Sequence, residues 1–407
     1  MGHQAPLTAD ARLAVAGTGF TRALAELLVF GYLPIQLHSA GEERFTVLAL
    51  VTAIPALVRF VASSFWGAAS SRSGRVKPYL LLGFGGYIAV ALLLMVLSNP
   101  WASILTVGAG SLLFSAVPPL SKSLVSLQGE GSSSRSLAGW LQAEALGWLA
   151  GGVAVSLAGE TAGGFKLLLG VAAALMFLEA LLILVALPEV RPVAVQPRHR
   201  GPGLLELAGL LRNPRVWVPL AAFVTLVIAS EGTFTVYGVY LTGILGGSER
   251  LYGASLTVST LLGVIAYRLL ADFSHRVRPE RLLPAAATAY GVTYAILAAW
   301  RDPWVMALLY SLPLFSIARA GVIWQVAQES TPAERSAAMG FLDGSEALAM
   351  GVGALAAGAI ADGLGFGILF ALFAAAAGLA AVASSRHPEA EAAGGRRPET
   401  GSGQYSL

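Results

Sequence analysis

The sequence predicts an all-α membrane protein: twelve transmembrane helices arranged as two pseudo-symmetric six-helix bundles. Three observations carry this. Of 407 residues, 56% are hydrophobic and 12% charged, with mean hydropathy +0.70, which is not a soluble composition. A dozen apolar runs each approach the ~20 residues a helix needs to cross a bilayer. The second half also repeats features of the first. Twelve spans use roughly 240 positions, leaving short loops and no room for a separate soluble catalytic domain. With no cysteine, disulfides, thiolate metal sites and cysteine nucleophiles are excluded.

The first run, about 13–38, starts after Arg12 and is too long for a signal-peptide core, so a retained helix is expected. Runs at about 46–70 and 77–97 follow, separated by a short basic loop. The fourth, about 102–126, contains Pro118-Pro119, and the fifth, about 137–158, carries Gly147, Gly151 and Gly152. The sixth, about 165–187, closes an N-terminal unit, 1–187. A linker, 188–215, holds five prolines and the basic run Arg198-His199-Arg200. The second unit, 216–385, contains runs at about 216–245, 251–271, 282–300, 303–328, 337–361 and 366–385. Pro313 interrupts the tenth, and Gly351, Gly353 and Gly358 lie in the eleventh. A tail at 386–407, rich in Ala, Gly and Glu, is expected to be disordered.

Orientation follows from the 26 Lys and Arg. Nineteen fall on the N-terminus, the even-to-odd connections and the C-terminal tail; four fall on the opposite connections, and three lie within spans. Both termini are therefore expected in the cytoplasm, with the chain in the inner (plasma) membrane. The net charge of +3 is spent on topology, so no nucleic-acid partner is expected. The expected partners are the lipid bilayer and a small-molecule substrate, with the chain acting as a monomer.

Internal repetition supports two bundles. Arg135-Ser-Leu-Ala-Gly139, Glu144 and Gly151 reappear as Arg335-Ser-Ala-Ala-Met-Gly340, Glu346 and Gly353, about 202 positions later. Glu26 ahead of Leu37 likewise answers Glu231 ahead of Leu241.

Charges inside the spans are the candidate functional groups. These are Arg22 and Glu26 in the first span, Arg59 in the second, Glu144 in the fifth, Glu179 in the sixth, Glu231 in the seventh, Arg319 in the tenth, and Asp343 and Glu346 in the eleventh. Each costs about 2.5–3.5 kcal/mol at a helix centre, so nine unpaired charges would cost roughly 20–30 kcal/mol, and they must be paired, hydrated or protonated. Arg22 and Glu26, four apart on one face, are expected to pair directly. Glu144 and Glu231 have no opposite charge within a helical turn and read as the better proton carriers. Arg59 and Arg319 must pair permanently or meet an anionic group on the cargo.

The loop after the second span reads Gly67-Ala-Ala-Ser-Ser71-Arg72-Ser-Gly74-Arg75-Val-Lys77. It resembles the signature of the major facilitator superfamily, in which Asp is expected where Ser71 stands. Arg268-Leu-Leu-Ala-Asp272-Phe-Ser-His-Arg276 resembles a degenerate second copy. The resemblance implies a conformational gate at Gly67, Arg72, Gly74, Arg75, Asp272 and Arg276, with glycines allowing close helix approach and charges binding across the halves when that side is shut. It also implies that helices 1, 2, 4, 5, 7, 8, 10 and 11 surround a central cavity. Eight of the nine intramembrane charges then fall on cavity helices, where they are expected to face a shared wet passage; Glu179 reads as structural or interfacial. Tyr237, Tyr240, Trp324 and Gln325 share those helices and join the expected substrate and proton site. The fourth span lacks the arginine of many family members, and Lys122 lies near its inner end.

The function implied is secondary active transport by alternating access, with the proton as coupling ion and no cofactor or metal. Efflux of an organic or amphipathic compound, proton-linked uptake of an organic anion, and lipid flipping all remain open. Three intramembrane arginines favour anionic cargo; four glutamates favour cations or protons. An enzyme is not expected: the chain has no His-Glu-x-x-His, Gly-x-Ser-x-Gly or Gly-x-x-x-x-Gly-Lys-Ser/Thr.

Overall fold

The computed structural model describes residues 9–126, 133–188, 214–272, 278–329 and 335–392. Among these described residues, twelve helices are long and apolar enough to cross a membrane. They are α1 (Asp10–Ser39), α2 (Phe45–Ser70), α3 (Lys77–Val96), α4 (Pro100–Val125), α5 (Gly139–Ala158), α6 (Gly164–Ala186), α7 (Val216–Ile244), α8 (Glu249–Leu270), α9 (Glu280–Ala299), α10 (Pro303–Val326), α11 (Phe341–Leu364) and α12 (Phe366–Ser385). Their outward faces are apolar, as lipid requires: Leu105, Leu157, Val185 and Leu379 are each at least two-thirds exposed.

Within the first bundle α1 packs on α5 and α6, and α3 on α6; within the second α7 packs on α11 and α12, and α9 on α12. The bundles meet along two seams, α2 with α11 and α5 with α8. Both seams need small residues. A Cβ on Gly358 would lie 2.7 Å from the Phe45 carbonyl oxygen, and one on Gly253 would lie 2.6 Å from that of Gly152.

The prolines break corresponding helices of the two halves. In α4 the α-helix ends at Phe114 and resumes at Val117; in α10 it ends at Tyr310 and resumes at Leu314. The α4 break frees the Leu112 carbonyl, because Ala116 N–H bonds Leu113 instead, and Trp66 Nε1 of α2 donates to it at 2.7 Å. Sequence reading did not anticipate the π-helical turns Leu27–Tyr32 in α1 and Tyr240–Ile244 in α7; the first directly follows Glu26.

The seam is fastened at the end away from the chain termini. Asp362 at the end of α11 accepts from Phe45 N (2.7 Å), Thr46 N (2.8 Å) and Thr46 Oγ1 (2.6 Å), capping the N-terminus of α2 in the other bundle. Tyr252 of α8 donates to the Gly31 carbonyl at 2.8 Å, and the rings of Phe45 and Phe366 meet edge to face at 4.8 Å.

The expected linker lies almost entirely outside the described residues. The last helix runs through Ala392, past position 386 where the tail was expected to begin. Residues 393–407 lie outside the described residues.

Candidate functional site

The centre of the molecule holds a charge network built on α1. Arg22 and Glu26 are one turn apart, and Arg22 Nη1 lies 2.5 Å from Glu26 Oε2. Gly19 on the same helix lies against the backbone of Trp140 and Glu144, bringing α5 close enough for Arg22 Nη2 to reach Glu144 Oε1 at 2.7 Å. The guanidinium also sits 5.6 Å from the Trp140 ring centroid. Trp140 Nε1 donates to Thr18, whose hydroxyl meets Ser121 of α4 at 2.9 Å.

Glu26 Oε1 accepts from the Tyr87 hydroxyl of α3 at 3.0 Å and lies 3.8 Å from Arg59 Nη1 of α2. Arg59 extends across the seam, with Nη2 3.2 Å from Met350 Sδ of α11. In the second bundle Arg319 of α10 pairs with Glu346 of α11 at 3.3 Å. A small cavity lies beside the Glu26–Arg59 part of this network, lined by Glu26, Thr52, Arg59, Phe114 and Ser115 of the first bundle and Met350 of the second. Thr52 is 3% exposed and its hydroxyl has no hydrogen-bond partner among the described residues.

Arg22, Arg59 and Arg319 therefore each have a carboxylate within 4 Å. Glu231 differs. It is half-buried on α7, within electrostatic reach of Glu346, Arg59, Arg319 and Glu26, yet among the described residues its carboxylate makes no ion pair within 4.0 Å. Of the six in-span carboxylates, Glu179 and Glu231 make no ion pair among the described residues, and of these two it is Glu231 that lies within electrostatic reach of the network.

A twelve-helix frame with paired charges at the junction of two bundles narrows the identity, and comparison with known proteins decides it. The family described as Major Facilitator Superfamily matches residues 15–335. This chain belongs to that superfamily. It is a transporter of the family rather than an enzyme. The chain is 28% identical over 325 residues to the "Multidrug resistance protein MdtG" of Enterobacter lignolyticus (strain SCF1), covering 75% of this chain and 74% of that protein. Its fold is similar to that of the nucleoside transporter NupG, with TM-score 0.78 at 14% identity, over 92% of this chain and 99% of that one. A bacterial homolog of the human lysosomal transporter Spinster, in an inward-facing and unoccupied conformation, gives TM-score 0.69 at 12% identity, over 92% and 94% of the two chains.

The superfamily's loop motif caps two helix ends in this conformation. Gly74 ends the second helix in a left-handed conformation, φ +64°, which favours glycine. Ser70 Oγ donates to the Arg75 carbonyl at 2.8 Å, and Lys77 Nζ donates to the carbonyls of Leu184 and Leu187, at 2.5 and 2.9 Å, capping the end of α6. Arg72 is exposed, and a Cβ on Gly67 would meet nothing within 4 Å, so the close approach expected at Gly67 is not made. Asp272 lies 4.0 Å from Arg268 on its own exposed helix face. Arg276 lies outside the described residues.

Of the remaining expected site residues, Asp343 reaches Lys122 across the bundles at 3.3 Å. Trp324 is half-buried and Gln325 is 8% exposed on α10. Tyr237 and Tyr240 sit in ring stacks of the second bundle, on Tyr310 at 3.9 Å and on Phe366 at 4.0 Å, with Tyr237 bonded to Ser255. Glu179, expected to be structural, is buried against Gly17 of α1. Sequence reading missed Tyr87 and Trp140 as partners of the network. An aromatic on a supporting helix, or on a helix face among other apolar residues, carries no signal of the charge it meets.

Proposed function

We propose that this chain exports small amphipathic compounds carrying positive charge, in exchange for protons, by alternating access, and that Glu231 is the exchange site. The proposal places the protein in the inner membrane as a monomer with both termini in the cytoplasm. One observation carries it: Arg22, Arg59 and Arg319 are already neutralised by Glu26, Glu144 and Glu346, while Glu231 has no ion pair among the described residues. An anionic cargo would have to displace a protein carboxylate from an arginine. A proton or an ammonium group meets Glu231 without displacing anything. The likeness to a multidrug resistance protein supports the export of drug-like compounds.

Binding of a fluorescent lipophilic cation to purified protein in detergent tests this. In wild type, affinity is expected to fall as pH falls, because proton and cation compete for one carboxylate; in Glu231→Gln, binding is expected to be weak and independent of pH. Tight, pH-independent binding in that variant, or saturable binding of an organic anion instead, overturns the assignment. Cation-independent lipid scrambling by the reconstituted protein would move the reading to lipid flipping.

A further inference from the structure

Tyr32, in the π-helical turn of α1, points across the α5–α8 seam at its fastened end. Its hydroxyl lies 2.9 Å from the Gly159 carbonyl oxygen and within hydrogen-bond distance of Glu249 Oε2, at the start of α8. A phenol has one proton to donate, while a carbonyl and an ionised carboxylate have none. With Glu249 ionised, one of these two contacts is oxygen against oxygen with no hydrogen between. With Glu249 protonated, both are satisfied in sequence: Glu249 Oε2–H donates to Tyr32, and Tyr32 O–H donates to Gly159.

The surroundings act in the same direction. Glu160 from the α5–α6 loop accepts the Arg250 backbone N–H at 3.3 Å, placing a second carboxylate beside Glu249. Among the described residues no Lys, Arg or His forms an ion pair with Glu249. Gln36 Nε2, 3.4 Å from Oε1, fits either protonation state. His38 packs on Gly243, with Nδ1 at the Glu42 carbonyl. The N-terminal dipole of α8 and donation from Tyr32 favour the anion, and the second carboxylate and the competing Gly159 carbonyl oppose it.

We infer that Glu249 is a second proton-binding site, at the seam between the bundles, which takes up one proton when the seam closes at this end and releases it to water when the seam opens. Tyr32, Gln36 and Gly159 belong to one bundle and Glu249 to the other, so separating the bundles removes the acceptor that holds the proton. The closed form binds the extra proton and is therefore favoured as pH falls. The inference rests on the alternating-access part of the proposed function and on none of its cargo assignment.

The chain has no cysteine, so a spin-label pair needs only Ala162→Cys and Leu364→Cys, one exposed position at this end of each bundle. Distances measured in nanodiscs across a pH series are expected to shift from closed towards open as pH rises. Glu249→Gln, whose amide donates permanently to Tyr32, is expected to hold the closed distance at every pH. Glu160→Gln is expected to move the midpoint to lower pH. A pH response that persists unchanged in Glu249→Gln, or a Glu249→Gln protein that rests open, overturns the inference. Loss of cation binding in Glu231→Gln is a separate readout, so failure of either proposal is recognised without the other.

Discussion

Replacing Glu26 by Gln removes the one carboxylate shared by two arginines. Arg22 and Glu26 are 4% and 6% exposed, and breaking a buried pair by removing one partner costs about 3–5 kcal/mol. Arg22 keeps Glu144 at 2.7 Å, and Arg59 is 26% exposed and partly hydrated, so the lower end, about 3 kcal/mol, is expected. Tyr87 still has an amide oxygen to donate to, so its contribution largely survives. At roughly 2–4 °C per kcal/mol, the melting temperature should fall by about 6–12 °C. Scanning fluorimetry of the purified protein in one detergent measures this, with Glu231→Gln as the internal comparison. Removing an acid with no ion pair should leave the melting temperature unchanged or slightly raised. A Glu26→Gln protein melting within about 2 °C of wild type, or a Glu231→Gln protein destabilised as much as Glu26→Gln, would refute the pairing scheme.

Two other substitutions probe parts of the fold that the network does not touch. Asp362→Ala removes the cap that α11 places on the N-terminus of α2; it should cost about 1–2 kcal/mol and shift the bundles towards opening at that end, read by the same spin-label distance. Glu179→Gln should leave melting within about 1 kcal/mol of wild type, because one carboxyl oxygen has no hydrogen-bond partner to lose, whereas Gly17→Ala should cost about 1–3 kcal/mol by forcing a methyl group onto that carboxyl.

The spans were legible because crossing a bilayer demands long apolar runs, and Pro118-Pro119 and Pro313 gave the helix breaks because proline cannot donate to the preceding turn. Arg22 and Glu26 were legible as a pair because they lie on one helix. The reach of Arg22 to Glu144, of Arg59 to Glu26 and of Lys122 to Asp343 depends on which helices adjoin, and spacing along one chain holds no record of that. The expectation that the charges would all face one wet passage therefore gives way to a finer division. Arg22 and Glu26 are sequestered as mutually neutralised partners, and Glu231 stands apart from them. The absence of a local partner picked out both Glu144 and Glu231 in the sequence, but only the fold separates them. Tyr237 and Tyr240 share a helix with Glu231, yet their rings serve packing within the second bundle. At the seam, Tyr32 and Glu249 are 217 positions apart and neither belongs to a motif, so only the fold brings them together.

The central claim is that Glu231, and not the paired carboxylates, exchanges proton for cargo. The most direct measurement is export of a lipophilic cation from proteoliposomes under an imposed pH gradient, for wild type, Glu231→Gln and Glu179→Gln. The account predicts gradient-driven flux in wild type and in Glu179→Gln, and flux reduced to the leak rate in Glu231→Gln. Full gradient-driven flux in Glu231→Gln would contradict it.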